Sequence, residues 1–120
     1  MADLPAAFFD NVANNGADLR VTKGNGSTEV AREVVWLNKT ANAGELHFVA
    51  NGTLTNAGNS DFYLYYDNPG ATEPSASSSY GKYKTWTSSN YVGVWHLNES
   101  PASAATLYNS ASASYNCTSA

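Results

Sequence analysis

Apolar and polar side chains alternate along most of this chain, and the three-to-four-residue spacing of a helix is scarce. Residues 18–23 (DLRVTK) alternate cleanly and run into Gly24-Asn25-Gly26, a turn sequence that tolerates positive φ. The alternation resumes over 30–37, where Val34, Val35 and Trp36 suit a pleated surface. A hairpin closed by residues 24–26 is therefore predicted. Over 45–50, Leu46, Phe48 and Ala50 share one face, and Glu45 and His47 share the other. Residues 61–66 (DFYLYY) form the clearest strand, with Phe62, Leu64 and Tyr66 directed at the core. Tyr63 and Tyr65 then face outward or toward a second sheet. Asp67-Asn68-Pro69-Gly70 ends that strand, because Pro69 cannot donate to a ladder and Gly70 supplies turn geometry. A last strand is expected over 91–97, with Tyr91, Gly93, Trp95 and Leu97 on one side and Val92, Val94 and His96 on the other. The one helical candidate is the short segment 5–9, opened by Pro5.

Short strands separated by turns every 8–12 residues or so predict an all-β fold, an antiparallel β-sandwich of jelly-roll or lectin-like type with little helix. The chain of 120 residues fits one small domain, assigned to residues 1–100. Residues 101–120 read as an extended Ala/Ser-rich C-terminal tail. Leu107, Tyr108 and Tyr115 are its candidate anchors on a neighbouring subunit.

Charge narrows the choice of partner. Only 13% of residues are charged and the net charge is −4, so a basic footprint for nucleic acid is missing. The 18 Ala, 14 Asn, 14 Ser and 10 Thr take the place of the missing charge. No apolar run approaches the roughly 20 residues that would span a membrane, so no membrane insertion is expected. Met1-Ala2-Asp3-Leu4-Pro5 lacks the basic and apolar segments of a secretory signal. Cys117 has no second cysteine to pair with. Asn-x-Ser/Thr sequons at Asn25, Asn38, Asn51, Asn98 and Asn116 mark exposed turns.

Several segments together resemble a domain-of-unknown-function family of bacterial surface and phage virion proteins. They are Leu4-Pro5-Ala6-Ala7-Phe8-Phe9-Asp10-Asn11-Val12, Gly16-Ala17-Asp18-Leu19-Arg20-Val21-Thr22, Gly44-Glu45-Leu46-His47 and Phe62-Tyr63-Leu64-Tyr65-Tyr66-Asp67-Asn68-Pro69. In that family the domain commonly precedes a laminin-G or concanavalin-A-like lectin sandwich, whose opening strand is similar to Val92-Gly93-Val94-Trp95-His96-Leu97-Asn98-Glu99. The resemblance runs from residue 4 to residue 100. It departs from the family in lacking a further strand before Leu4 and in stopping soon after the lectin-like opening. It implies a β fold and an outer-surface setting, and it carries no catalytic residues.

Candidate chemistry is sparse. His47 and His96 have no partners at metal-ligand spacing, so structural roles are expected for both and no metal site is assigned. No nucleophile elbow, zinc-protease motif or phosphate loop occurs. The carboxylates Asp10, Asp18, Asp61, Asp67 and Glu73 sit beside turns, where Asp and Glu bound strands routinely. Asp10, Asn14, Asn15 and Asp18 form an oxygen-rich loop. Ca²⁺ is the one ion it could hold, but its spacing suits an Asx-turn better than an EF-hand, so no cofactor is expected. Aromatics are the best binding material: Tyr63, Tyr65, Tyr83 and Trp86 are the candidate ligand-binding residues, with Trp95 and Phe62 assigned to packing. The expected function is a non-enzymatic structural or adhesive subunit of an outer surface, foremost a phage virion (capsid decoration, tail or fibre). The alternative is a carbohydrate-binding module of a secreted bacterial surface protein. Expected partners are other copies, neighbouring structural subunits and glycans.

Overall fold

Pro5 sets the start of the first element. In the computed structural model, which describes residues 4–50, 52, 54, 57–87, 91–99 and 106–118, its carbonyl accepts the Phe8 N–H at 2.9 Å and opens helix α1 (Ala6–Asn11). Residues 1–3, the sequon at Asn51, and tail residues 101–105 and 119–120 lie outside the described residues. α1 buries Phe8 and Phe9, whose rings meet edge to face at 4.9 Å. With Val12 and Leu19 they make the core, against which Val34, Leu37 and Leu64 pack. Gly16, at φ +69°, turns the chain into this core; an added Cβ would lie 3.1 Å from Leu19 and 3.2 Å from Val34.

β1 (Arg20–Lys23) is the centre of a three-stranded antiparallel sheet, with β2 (Glu29–Val30) on one side and β5 (Phe62–Tyr65) on the other. The hairpin predicted at residues 24–26 forms: Lys23 N–H donates to Thr28 O at 2.9 Å and Gly26 takes φ +71°. Val21 faces Val30 across one ladder and Leu64 across the other, so apolar residues meet on the core side. Tyr63 and Tyr65 face away, as the alternation requires. β3 (Arg32–Asn38) leaves the first sheet after Ala31 and pairs with β4 (Ala43–Phe48). A short helix, α2 (Lys82–Thr85), and a hairpin of β6 (Thr106–Leu107) with β7 (Cys117–Thr118) complete the elements. The fold is mostly β, with 10% of the described residues helical and 26% in strands, and the sheets are small and open.

Three expectations need correction. Residues 91–99 form no strand, because Val94 spends its N–H on Asn109 Oδ1 (3.0 Å) and its carbonyl on Ser110 N–H (2.8 Å). Leu97 then turns to φ +56°, which breaks the extended run. Trp95, assigned to packing, is exposed in this irregular segment. Over 106–118 the chain is not an extended tail: Asn109 and Ser110 are buried, and Tyr108 N–H donates to Glu99 Oε1 at 2.9 Å. Its anchors on its own chain are polar, which an apolar reading of the tail overlooks.

The deepest side chain is a charge. Arg32 is fully buried; its Nε donates to Leu19 O at 3.0 Å and its Nη1 to Glu73 Oε1 at 2.6 Å. Arg20 assists from β1 in the other sheet, donating to Ala17 O at 2.9 Å and Leu19 O at 2.7 Å. Together they fasten the turn before β1 to both sheets. Arg32→Met keeps the stem's volume and removes these donors. It should lower unfolding stability by about 1–3 kcal/mol, read as a lower urea midpoint with unchanged slope.

Candidate functional site

A strand face lines up the site. Glu33 on β3 lies directly opposite His47 on β4, and Glu45, two residues before His47, shares its face. The ladder then slips: Val34 pairs with Leu46 but Trp36 pairs with Glu45, so Val35 is an extra residue, a β-bulge. The bulge brings Trp36 beside Glu45, and its indole N–H donates to Glu45 Oε2 at 3.2 Å. Val34, Leu37 and Leu46 line an apolar groove with Phe8, Leu19 and Leu64.

Two later segments close over Glu33. Trp86, at the end of α2, donates its indole N–H to Glu33 Oε2 at 2.6 Å. His96 Nε2 lies 3.1 Å from the same oxygen, and Ser110 Oγ donates to Glu33 Oε1 at 2.6 Å. The buried carboxylate thus has several donors, the condition for burying one at all. The rings pack in a group: His47 and His96 stack at 5.6 Å and 25°, and Trp86 lies 5.0 Å from His47, 5.9 Å from His96 and 5.4 Å from Tyr91. His47 Nε2 sits 2.7 Å from Glu45 Oε1. That contact, helped by the Trp36 N–H, holds the Glu45 carboxyl below the ordinary carboxylate range.

A catalytic serine hands its proton to an imidazole, whereas Ser110 and His96 both hang on Glu33, with the hydroxyl donated to the carboxylate. One ligand atom from each of Glu45, His47 and His96 does converge with the others, the three lying within 4.8 Å of one another. Expected structural from sequence, the two histidines stand side by side.

Other candidates are scattered. Tyr63 and Tyr65 are 50% and 47% exposed, and Tyr65 O–H donates to Gly26 O at 2.9 Å. Tyr83 is half-buried on α2, with Lys82 Nζ 5.7 Å from its ring centre. Trp86 is half-buried and committed to Glu33. Among the described residues no aromatic contact joins Tyr63 or Tyr65 to Tyr83 or Trp86. Leu107 is half-buried in β6, whereas Tyr108 and Tyr115 are exposed. In the oxygen-rich loop, Asp18 accepts Ala13 N–H and Asp67 N–H at 3.0 and 2.8 Å, and Asn15 accepts Ala17 N–H at 3.1 Å. Those oxygens brace turns, and Asp10 stays exposed. Glu33 and Ser110 are the residues that pattern reading missed. The available signal was the adjacent pair Arg32-Glu33 in an apolar run of a chain so poor in charge.

Two outcomes follow from these bonds. Trp86→Phe keeps a ring but removes a donor from a buried carboxylate, and should cost about 1.5–3 kcal/mol. Trp36→Phe loses a bond to exposed Glu45 and should cost less than about 0.5 kcal/mol; paired urea titrations compare them. Glu99 is held below the ordinary carboxylate range chiefly by the Tyr108 N–H. Its tie to the β6–β7 hairpin is therefore fully present above that range and lost as pH falls through the lowered value. Hydrogen exchange at the Tyr108 amide should lose protection in that acidic window, and Glu99→Gln should remove the pH dependence. Compared with protein-family models, with curated proteins and with solved structures, the chain matches none.

Proposed function

We propose that this chain is a non-enzymatic structural or adhesive β module of an outer surface, foremost of a phage virion, whose sheets are completed into a sandwich by neighbouring subunits. The observation that carries the reading is β5. It is the outermost strand of its sheet, bonded to β1 on one side, and it presents Tyr63 and Tyr65 about half exposed. Among the described residues no strand pairs with its outer side, and an edge of this kind with aromatic side chains is a template for another strand. The low charge supports the same reading, since like surfaces meet without charge repulsion. So do the segments resembling a family of surface and virion proteins. Exposed Tyr108 and Tyr115 on the C-terminal hairpin offer a second contact for a neighbour.

A carbohydrate-binding module is the second reading, favoured by the exposed ring of Tyr63, on which a sugar could stack. One pair of measurements separates them. Under the first reading, light scattering shows concentration-dependent self-association or co-assembly with structural subunits. Tyr63→Lys, which places a charge on the edge, should abolish it. A chain that stays monomeric and gives a glycan-array signal removed by Tyr63→Ala would replace the first reading with the second.

A further inference from the structure

We propose that Glu45, His47 and His96 form a binding site for a divalent transition-metal ion of the zinc type. The chain has only two histidines, and the fold brings both to one place from distant segments. Two imidazoles and one carboxylate are a donor set that suits zinc and its neighbours, whereas calcium and magnesium prefer oxygen alone.

Geometry supports the assignment. One ligand atom from each residue lies within 4.8 Å of the other two. Bonds of about 2.0–2.1 Å place ligand atoms about 3.3 Å apart around a tetrahedral ion. Side-chain rotation alone can close that gap, because the Glu45 and His47 side chains are 47% and 37% exposed. Binding exchanges the His47–Glu45 contact for two bonds to the ion. Glu45 and His47 are alternate residues of one paired strand, so their spacing is fixed before an ion arrives.

Glu33 supplies the support that metal-binding histidines commonly have. It lies 3.1 Å from His96 Nε2 and is itself held by Trp86 and Ser110. In the neutral tautomer that donates one N–H to a carboxylate, the other imidazole nitrogen is the one that can ligate, and the carboxylate fixes the ring's orientation. Trp86 walls one side of the pair, and exposed Glu45 leaves the other open to water, which would fill the remaining coordination position. Three protein ligands and one open position form a site that can bridge to a donor from another molecule.

The test uses the intact chain carrying Cys117→Ser, so that the exposed thiol does not compete. Zinc should bind with one-to-one stoichiometry and a dissociation constant below about 100 µM by calorimetry. In nitrogen-detected NMR of the imidazoles there are only two side chains to follow, and zinc should shift both. Replacing either histidine by alanine should weaken binding by more than about 100-fold, beyond the roughly 10–100-fold loss typical of an outer partner. Glu45→Gln, at an exposed position, should weaken it by about tenfold or more. Absence of one-to-one binding at that concentration overturns the site. Movement of one imidazole or neither, or binding that survives loss of both histidines, overturns it equally.

Discussion

The structure depends on two adjacent buried charges. Arg32 and Glu33 follow one another on β3, both almost wholly out of water, and a charge so placed needs partners. Neighbours on a strand point to opposite faces, so the two draw partners from opposite sides. Arg32 gathers the turn before β1 and the loop at Glu73. Glu33 gathers the end of α2, the irregular segment at His96 and the C-terminal hairpin at Ser110. An apolar pair of equal volume would fill the same space but leave the Trp86 N–H and the Ser110 hydroxyl without an acceptor. It would not say where each segment belongs.

The apolar core cannot supply that information, since Phe8, Phe9, Val12 and Leu19 make up its buried cluster. Polar side chains carry the rest. Lys39 reaches Val12 O at 2.7 Å, Asn98 reaches Val35 O at 3.0 Å, and Asn109 accepts Val94 N–H. An amide offers both donor and acceptor, so it can satisfy backbone groups where no ladder runs past. The abundance of Asn and Ser, read from composition as a surface property, is partly an interior one. Asn109 and Ser110 are among the most buried polar residues.

Alternation revealed much of the N-terminal half. The first hairpin, the 62–65 strand with its outward tyrosines, and the polar face bearing Glu45 and His47 were all visible as period-two patterns. The C-terminal half was not, because its order comes from long-range bonds that leave no periodic trace. Residues 91–97 alternate as a strand would, yet Val94 is bonded to Asn109 and Ser110 instead of a ladder. The histidine pair escaped for a related reason. Ligand spacing is a local criterion, and His96 meets His47 only through the tertiary fold.

The reach of Glu33 along the sequence also bears on the order in which the molecule forms. Its partners lie 53, 63 and 77 residues downstream. Contacts so distant close long loops and tend to form late. During synthesis from the N-terminus, α1, β1 to β5 and the Arg32 contacts emerge before any donor for Glu33 exists. Until Trp86, His96 and Ser110 arrive, that carboxylate keeps its water. The nascent chain therefore carries a hydrated, open β3–β4 face until those segments have emerged. Arrival of the last hairpin is the step that dries it.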